Sequence, residues 1–210
     1  MSTVASQLNA DMTAMAEGAR RGLVEVRVGG RRGGAGAGTI WHPDGLIITN
    51  AHVAHSNSLR VILPGGDTLS GRILARDKER DLAALMVDAK DLPTIEIGNS
   101  RDLRPGQWVL AMGHPWGVKG AATAGVIIGM GSGWPELPGG PREWIAMNLR
   151  LRPGHSGGPL IDINHRLVGI NTLMAGPDVG MAIPVHVIKA FLAEILGENK
   201  AERTPVAATA

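Results

Sequence analysis

Apolar positions follow two different rhythms along this chain. Residues 8–21 are rich in Ala, Met and Leu, with Asp11 and Glu17 early and Arg20 and Arg21 at the end. That pattern predicts a helix, with the basic pair suited to the C-terminal end of its dipole and Gly22 as the stop. From Leu23 onward the rhythm shortens. Apolar runs of four to ten residues are separated by Gly, Pro, Asn or Asp. Six runs cover 23–28, 38–41, 46–49, 59–63, 68–75 and 82–87. Six more cover 107–112, 121–130, 144–148, 159–163, 166–172 and 180–183. Two series of six short strands at such spacing predict antiparallel barrels or sandwiches. Pro184 then opens a closing helix over 185–196, whose apolar residues Val185, Ile188, Phe191, Leu192, Ile195 and Leu196 recur at three- and four-residue spacing. Gly197 reads as its C-cap. The expected organisation is a helical segment at 1–22, one barrel at 23–98, a second barrel with the closing helix at 99–197, and a flexible tail at 198–210.

Composition narrows the chemistry. The 210 residues include no Cys, which excludes disulfides, a thiolate nucleophile and thiolate-held metals. Formal net charge is only +2 and aromatics make up 3%. Neither a basic field nor a stacking surface for nucleic acid follows from that, and no nucleic-acid partner is expected. No apolar stretch reaches the length of a membrane span. The first eleven residues show neither a basic nor an apolar region of an export signal. The expected compartment is the cytoplasm if the sequence is complete, and the periplasm or exterior if a signal was removed.

Three short strings could carry chemistry. Gly154-His155-Ser156-Gly157-Gly158-Pro159 places a Ser between glycines, where a tight turn exposes a hydroxyl and free backbone N–H groups. The string fits G-x-S-x-G, but the residues after it read as strand, turn and strand. A nucleophile elbow of an α/β-hydrolase needs a helix there. Upstream, Thr49-Asn50-Ala51-His52 sets an imidazole just past a strand. Asp81 opens the apolar run 82–87, while Asp77 and Asp88 are rivals, Asp88 at the far end and Asp77 in a solvated charged segment. The order His, Asp, Ser is that of the chymotrypsin-like arrangement. His52 and His55 have a spacing that could pair on zinc, but no third ligand is near in sequence, and no metal or cofactor is expected. The Gly-rich turn at 29–38 lacks the spacing of a phosphate cradle and reads as a hairpin tip. Trp108, Trp116, Trp134 and Trp144 are expected in core or loop packing, and His42, His114, His165 and His186 as structural residues.

Taken together, these strings resemble the protease domain of the HtrA/Deg family of trypsin-like serine peptidases. The resemblance runs from Gly36-Ala-Gly38 through Asp44-Gly-Leu-Ile-Ile-Thr-Asn-Ala-His52, Asp81-Leu-Ala-Ala-Leu, Pro105-Gly-Gln-Trp-Val-Leu-Ala-Met-Gly113 and Gly154-His-Ser156-Gly-Gly-Pro to Gly169-Ile-Asn-Thr172 and Met181-Ala-Ile-Pro184. It implies an all-β fold of two six-stranded antiparallel barrels, flanked by the two helices, with a site between them. It implies His52 as general base, Asp81 as its orienting acid and Ser156 as nucleophile, with the N–H groups of Gly154 and Ser156 as oxyanion hole. By family position Leu151, Leu173 and Met174 line the specificity pocket, with Arg150 expected to point outward. The implied function is a serine endopeptidase that cuts extended or unfolded polypeptide through an acyl-enzyme. The alternative is a weakly catalytic binder of peptides or partners. Its motivation is the departures from the family pattern: His155 where Asn is usual, and Arg150 and Arg152 before the site. The family's aromatic trimerisation segment has no counterpart before Trp41, which leaves a homo-oligomer open.

Overall fold

The computed structural model describes residues 3–29, 34–134 and 142–202, without the side chains of 196 and 198–202. The tip of the Gly-rich turn, with Arg31 and Arg32, lies outside the described residues.

The twelve strands form two closed antiparallel barrels. In the first, β1 (Leu23–Val28), β2 (Gly34–His42), β3 (Leu46–Thr49), β4 (Leu59–Ile62), β5 (Thr68–Asp77) and β6 (Leu82–Met86) close in the order β1-β2-β3-β6-β5-β4. The second contains β7 (Trp108–Gly113), β8 (Ala121–Gly131), β9 (Trp144–Asn148), β10 (Pro159–Asp162), β11 (Leu167–Met174) and β12 (Val179–Pro184), closing as β10-β11-β12-β9-β8-β7. Strand spacing alone is compatible with barrels or sandwiches. The pairing of β1 with β4 and of β10 with β7 removes the free edges and decides for barrels.

Alternation explains which runs are wholly apolar. On β6, Ala83 and Leu85 face the interior of the first barrel, while Leu82 and Ala84 join the core between the barrels. On β7, Val109 and Ala111 fill the second barrel, while Leu110 and Met112 face the same central core. Strands buried on both faces lose the polar half of a period-2 pattern. On β1 only the end residue Leu23 reaches that core, so Glu25 and Arg27 stay on the outer face and pair at 2.7 Å.

Both helices close the central core. Helix α1 (Val4–Arg20) starts at an N-cap Thr3 whose Oγ accepts the Ser6 N–H at 3.2 Å, four residues before the periodic stretch suggested. Met15 and Ala19 are buried in the core, one turn apart. Helix α2 (Val185–Glu202) buries Val185, Ile188, Phe191 and Leu192. It runs through Gly197 instead of stopping there. Glycine ends a helix only where the backbone turns left-handed, and Gly197 shows no positive φ. Trp144 is buried, but Trp108 and Trp116 are exposed, against the expectation of core or loop packing. Among the described residues no helix is long and apolar enough to cross a membrane.

Candidate active site

The cleft between the barrels brings together the three strings. His52 follows the end of β3 in a short turn, with the N–H groups of Val53 and Ala54 both donating to the Asn50 carbonyl. Asp81 sits at the mouth of β6 with φ +56°, a left-handed conformation that Asp tolerates better than most side chains. Its carbonyl accepts from Ala51 N–H at 3.1 Å and from the Asn50 amide at 3.0 Å. These bonds hold the Asp81 backbone against the His52 turn. Helix α2 adds a brace from outside: the preceding Arg80 pairs with Glu194 at 3.2 Å and lies 5.9 Å from the Phe191 ring centre.

The Asp81 carboxylate accepts from three donors. Its Oδ2 lies 2.8 Å from His52 Nδ1 and accepts the Thr172 hydroxyl at 2.7 Å, and its Oδ1 accepts the His52 N–H at 3.0 Å. Burial pushes this carboxyl up, but the hydrogen bonds from His52 and Thr172 outweigh it and hold the group below the ordinary carboxylate value. The ionised acid requires a proton on Nδ1, which leaves Nε2 as the basic nitrogen. Among the described residues Nε2 has no hydrogen-bond partner. The rival Asp77 is occupied in its own turn, accepting from the N–H groups of Glu79 and Arg80 and pairing with the Arg80 guanidinium at 2.7 Å.

Ser156 enters from the second barrel. It lines a cleft of about 180 Å³ together with His52, Val53, Pro153 and Gly154. Its hydroxyl donates to the Thr172 carbonyl at 2.8 Å, not to His52. The backbone around it is fixed by Arg152-Pro153-Gly154-His155. His155 N–H donates to the Arg152 carbonyl at 2.9 Å, and Gly154 has φ +104°. With Pro at the second position this is a type II turn, which turns the Pro153–Gly154 peptide over relative to a type I turn. The N–H groups of Gly154 and Ser156 donate no hydrogen bond among the described residues, while His114 N–H holds the Gly154 carbonyl at 2.8 Å.

His155 occupies the underside of this turn. Only 3% of it is exposed, and its Nδ1 accepts the Arg152 N–H at 3.1 Å. Burial lowers its pKa, as it does for the neighbouring His114, so both rings are held neutral. Among the described residues the buried Nε2 of His155 has no partner. Arg152 itself turns outward and stacks 5.5 Å from the ring centre of the exposed Trp116.

The four residues assigned to the specificity pocket divide. Leu151 and Met174 meet, with the Leu151 N–H 3.1 Å from Met174 Sδ. Leu173 faces the other way, into the core between the barrels, because neighbours on a strand alternate. Arg150 is half exposed, with its Nε on the Pro177 carbonyl at 3.1 Å and its guanidinium 3.3 Å from Asp178. His55 Nδ1 faces the His52 carbonyl at 3.1 Å. Among the described residues no group of three or more His, Cys, Asp or Glu gathers as metal ligands. Thr172 is the residue that sequence reasoning missed. Its string was recognised, but nothing in it signalled that one residue would touch both Asp81 and Ser156.

This architecture recurs in known proteins. A model of the trypsin-like peptidase domain matches residues 36–170. A putative serine protease HhoB of Synechocystis is 33% identical over 177 residues, 82% of this chain and 42% of that protein. Serine protease HTRA1B of Danio rerio is 37% identical over 164 residues, 76% of this chain and 34% of its own. The solved structure of the HtrA-type protease AlgW with a tripeptide superposes with a TM-score of 0.82 at 30% identity, covering 89% of this chain and 64% of that one. The chain thus spans well under half the length of these two sequence relatives. With barrels, cleft and matched residues in agreement, the chain belongs to the trypsin-like peptidase domain family and is similar within it to the HtrA-type serine proteases.

Proposed function

We propose that this chain is a serine endopeptidase in which Ser156 attacks a peptide carbonyl and His52 is the general base. One observation carries the reading: a partly buried carboxylate fixes Nδ1 of His52, while its free Nε2 and the Ser156 hydroxyl belong to one cleft. A rotation of the Ser156 side chain from the Thr172 carbonyl toward His52 starts the reaction. Nε2 takes the hydroxyl proton as the oxygen bonds to carbon, and returns it to the leaving amine. Asp81 stays ionised and stabilises the imidazolium. The N–H groups of Gly154 and Ser156 bind the developing oxyanion, the larger share of such catalysis being electrostatic. Water then releases the acyl group by the same steps. Extended polypeptide is the substrate that suits a cleft open to solvent between two barrels. Leu151 and Met174 favour an aliphatic side chain at the cut, and the engagement of Arg150 by Asp178 supports its outward placement.

The Ser156–Thr172 hydrogen bond favours a second reading, a binder with little turnover. A fluorophosphonate probe separates the two, since only an activated serine is labelled. Labelling of the wild type, its loss in Ser156→Ala, and a fall in casein cleavage on the order of 10⁶-fold are expected for the enzyme. Labelling that survives in Ser156→Ala would place the nucleophile elsewhere, and an unlabelled wild type would favour the binder.

A further inference from the structure

A second cavity, of about 220 Å³, opens on another face of the molecule. It lies where α1 and the start of β1 meet the β4–β5 hairpin and the loop after β7. Its apolar wall is Leu23, Ile62, Leu63 and Pro64. Three cations, Arg20, Arg21 and Lys119, stand at its rim, with Glu17 and Glu25. Glu25 is already neutralised by Arg27, through contacts of 2.7 and 3.2 Å. Arg21 and Lys119 have no ion pair among the described residues. The cavity therefore offers an apolar interior and a surplus of positive charge at its mouth. Its size admits a short chain, below the range of drug-sized sites.

We propose that this cavity is an effector site for a small aliphatic carboxylate. The apolar chain would lie against Leu23 and Leu63, and the carboxylate would meet the guanidinium and ammonium groups at the rim. An amine of equal length would meet like charge there, and an alcohol would forgo the charge-assisted pairs. The placement also gives the ligand a route to the cleft. Arg20 donates to the Gly120 carbonyl at 3.1 Å, Gly120 N–H donates to His114 Nδ1 at 3.2 Å, and His114 N–H holds the Gly154 carbonyl at 2.8 Å. His114 is itself part of the cavity wall. A carboxylate that draws Arg20 from Gly120 slackens the strap on the Gly154 turn. The route to reactivity rests on the role proposed for that turn, whereas binding does not.

Isothermal titration of the intact chain with sodium hexanoate, hexylammonium chloride and hexanol tests the site. Saturable one-to-one binding of hexanoate is expected, with hexylammonium weaker by about tenfold or more, as loss of charge-assisted pairing requires. Leu63→Trp, at a half-buried hairpin position, fills the cavity and should abolish binding while the melting curve stays cooperative. Arg21→Glu with Lys119→Glu should reverse the preference toward hexylammonium. No saturable heat at millimolar hexanoate, equal binding of the amine, or full binding by Leu63→Trp would each overturn the site. Fluorophosphonate labelling of Ser156 tests the coupling. Hexanoate should slow it in the wild type and not in Leu63→Trp, and an equal rate with and without bound hexanoate would overturn the route to Gly154. Titration heats do not depend on turnover, so a failure of the proteolytic reading leaves the binding result standing.

Discussion

The two barrels hold their halves of the cleft by different means. The first fixes His52 and Asp81 with a dense set of bonds, in which every oxygen of the Asp81 residue has a donor. The second presents Ser156 from a turn whose shape depends on a Pro, a positive-φ Gly and a buried neutral His with an unpartnered nitrogen. The His52–Asp81 half is thus over-determined, while the Ser156 half sits on polar groups that are only partly satisfied. Buried polar groups left without partners cost stability and make a region responsive to conditions. Thr172 serves both halves, its hydroxyl on Asp81 and its carbonyl on Ser156.

The comparison can be broken most severely at the over-determined half. Asp81→Asn keeps the size and most of the bonding but removes the charge and inverts the tautomer of His52. Casein turnover should fall by about 10⁴-fold, with a cooperative melting transition retained. If Asp77→Asn did this and Asp81→Asn did not, the orienting acid would be Asp77.

Thr172→Val tests the shared residue. It deletes the hydroxyl bond to Asp81 and leaves the carbonyl in place. A hydrogen bond to a charged group is worth about 1.5–3 kcal/mol, so a loss of roughly 10- to 100-fold in kcat is expected if the bond serves the reacting state. An unchanged kcat would reduce Thr172 to a structural neighbour of the site.

Acid sharpens the contrast further, because the two halves respond in different pH windows. His155 and His114 have folded pKa values below their ordinary 6.5. The unfolded chain therefore takes up protons first, and the stability they contribute is present above 6.5 and drains away as pH falls below it. Asp81 is also depressed, from 3.8, so its contribution lasts until pH falls through that range. The melting temperature of the wild type should drop between pH 7 and 5, and His155→Asn should flatten that drop. Equal slopes for the two proteins would mean that His155 is not the acid-sensitive group.

Much of this was legible in the chain, for physical reasons that differ by element. All twelve strands were visible because Gly, Pro, Asn and Asp punctuate runs too short for helices. Asp81 could be preferred to Asp77 because it borders an apolar strand. Barrel closure was not visible in strand spacing and came only through the family resemblance, since it depends on pairings between β1 and β4 and between β10 and β7, far apart in sequence. The length of α2 was misread because a Gly without a positive φ does not end a helix. Leu173 was grouped with Met174 by position, whereas strand alternation sends the two to opposite sides. The exposure of Trp108 and Trp116 has no signal in composition at all.

Gly157, next to Ser156, has a consequence for how the molecule comes into being. A Cβ there would collide with the Ala37 carbonyl and the Thr49 hydroxyl of the first barrel, and φ is +85°. Around it, Ala37 N–H donates to the Ser156 carbonyl at 2.8 Å and Thr39 to the Gly157 carbonyl at 3.2 Å. The backbone of Ser156 and Gly157 is therefore stitched directly to strand β2, more than a hundred residues earlier in the chain. Contacts of such sequence separation are entropically expensive to close and form late. A chain with its barrels undocked would hold His52 in one and Ser156 in the other without these bonds between them. On the role proposed for Ser156 and His52, cleavage would require both barrels to have folded and docked, so assembly of the site and completion of the fold would be one event.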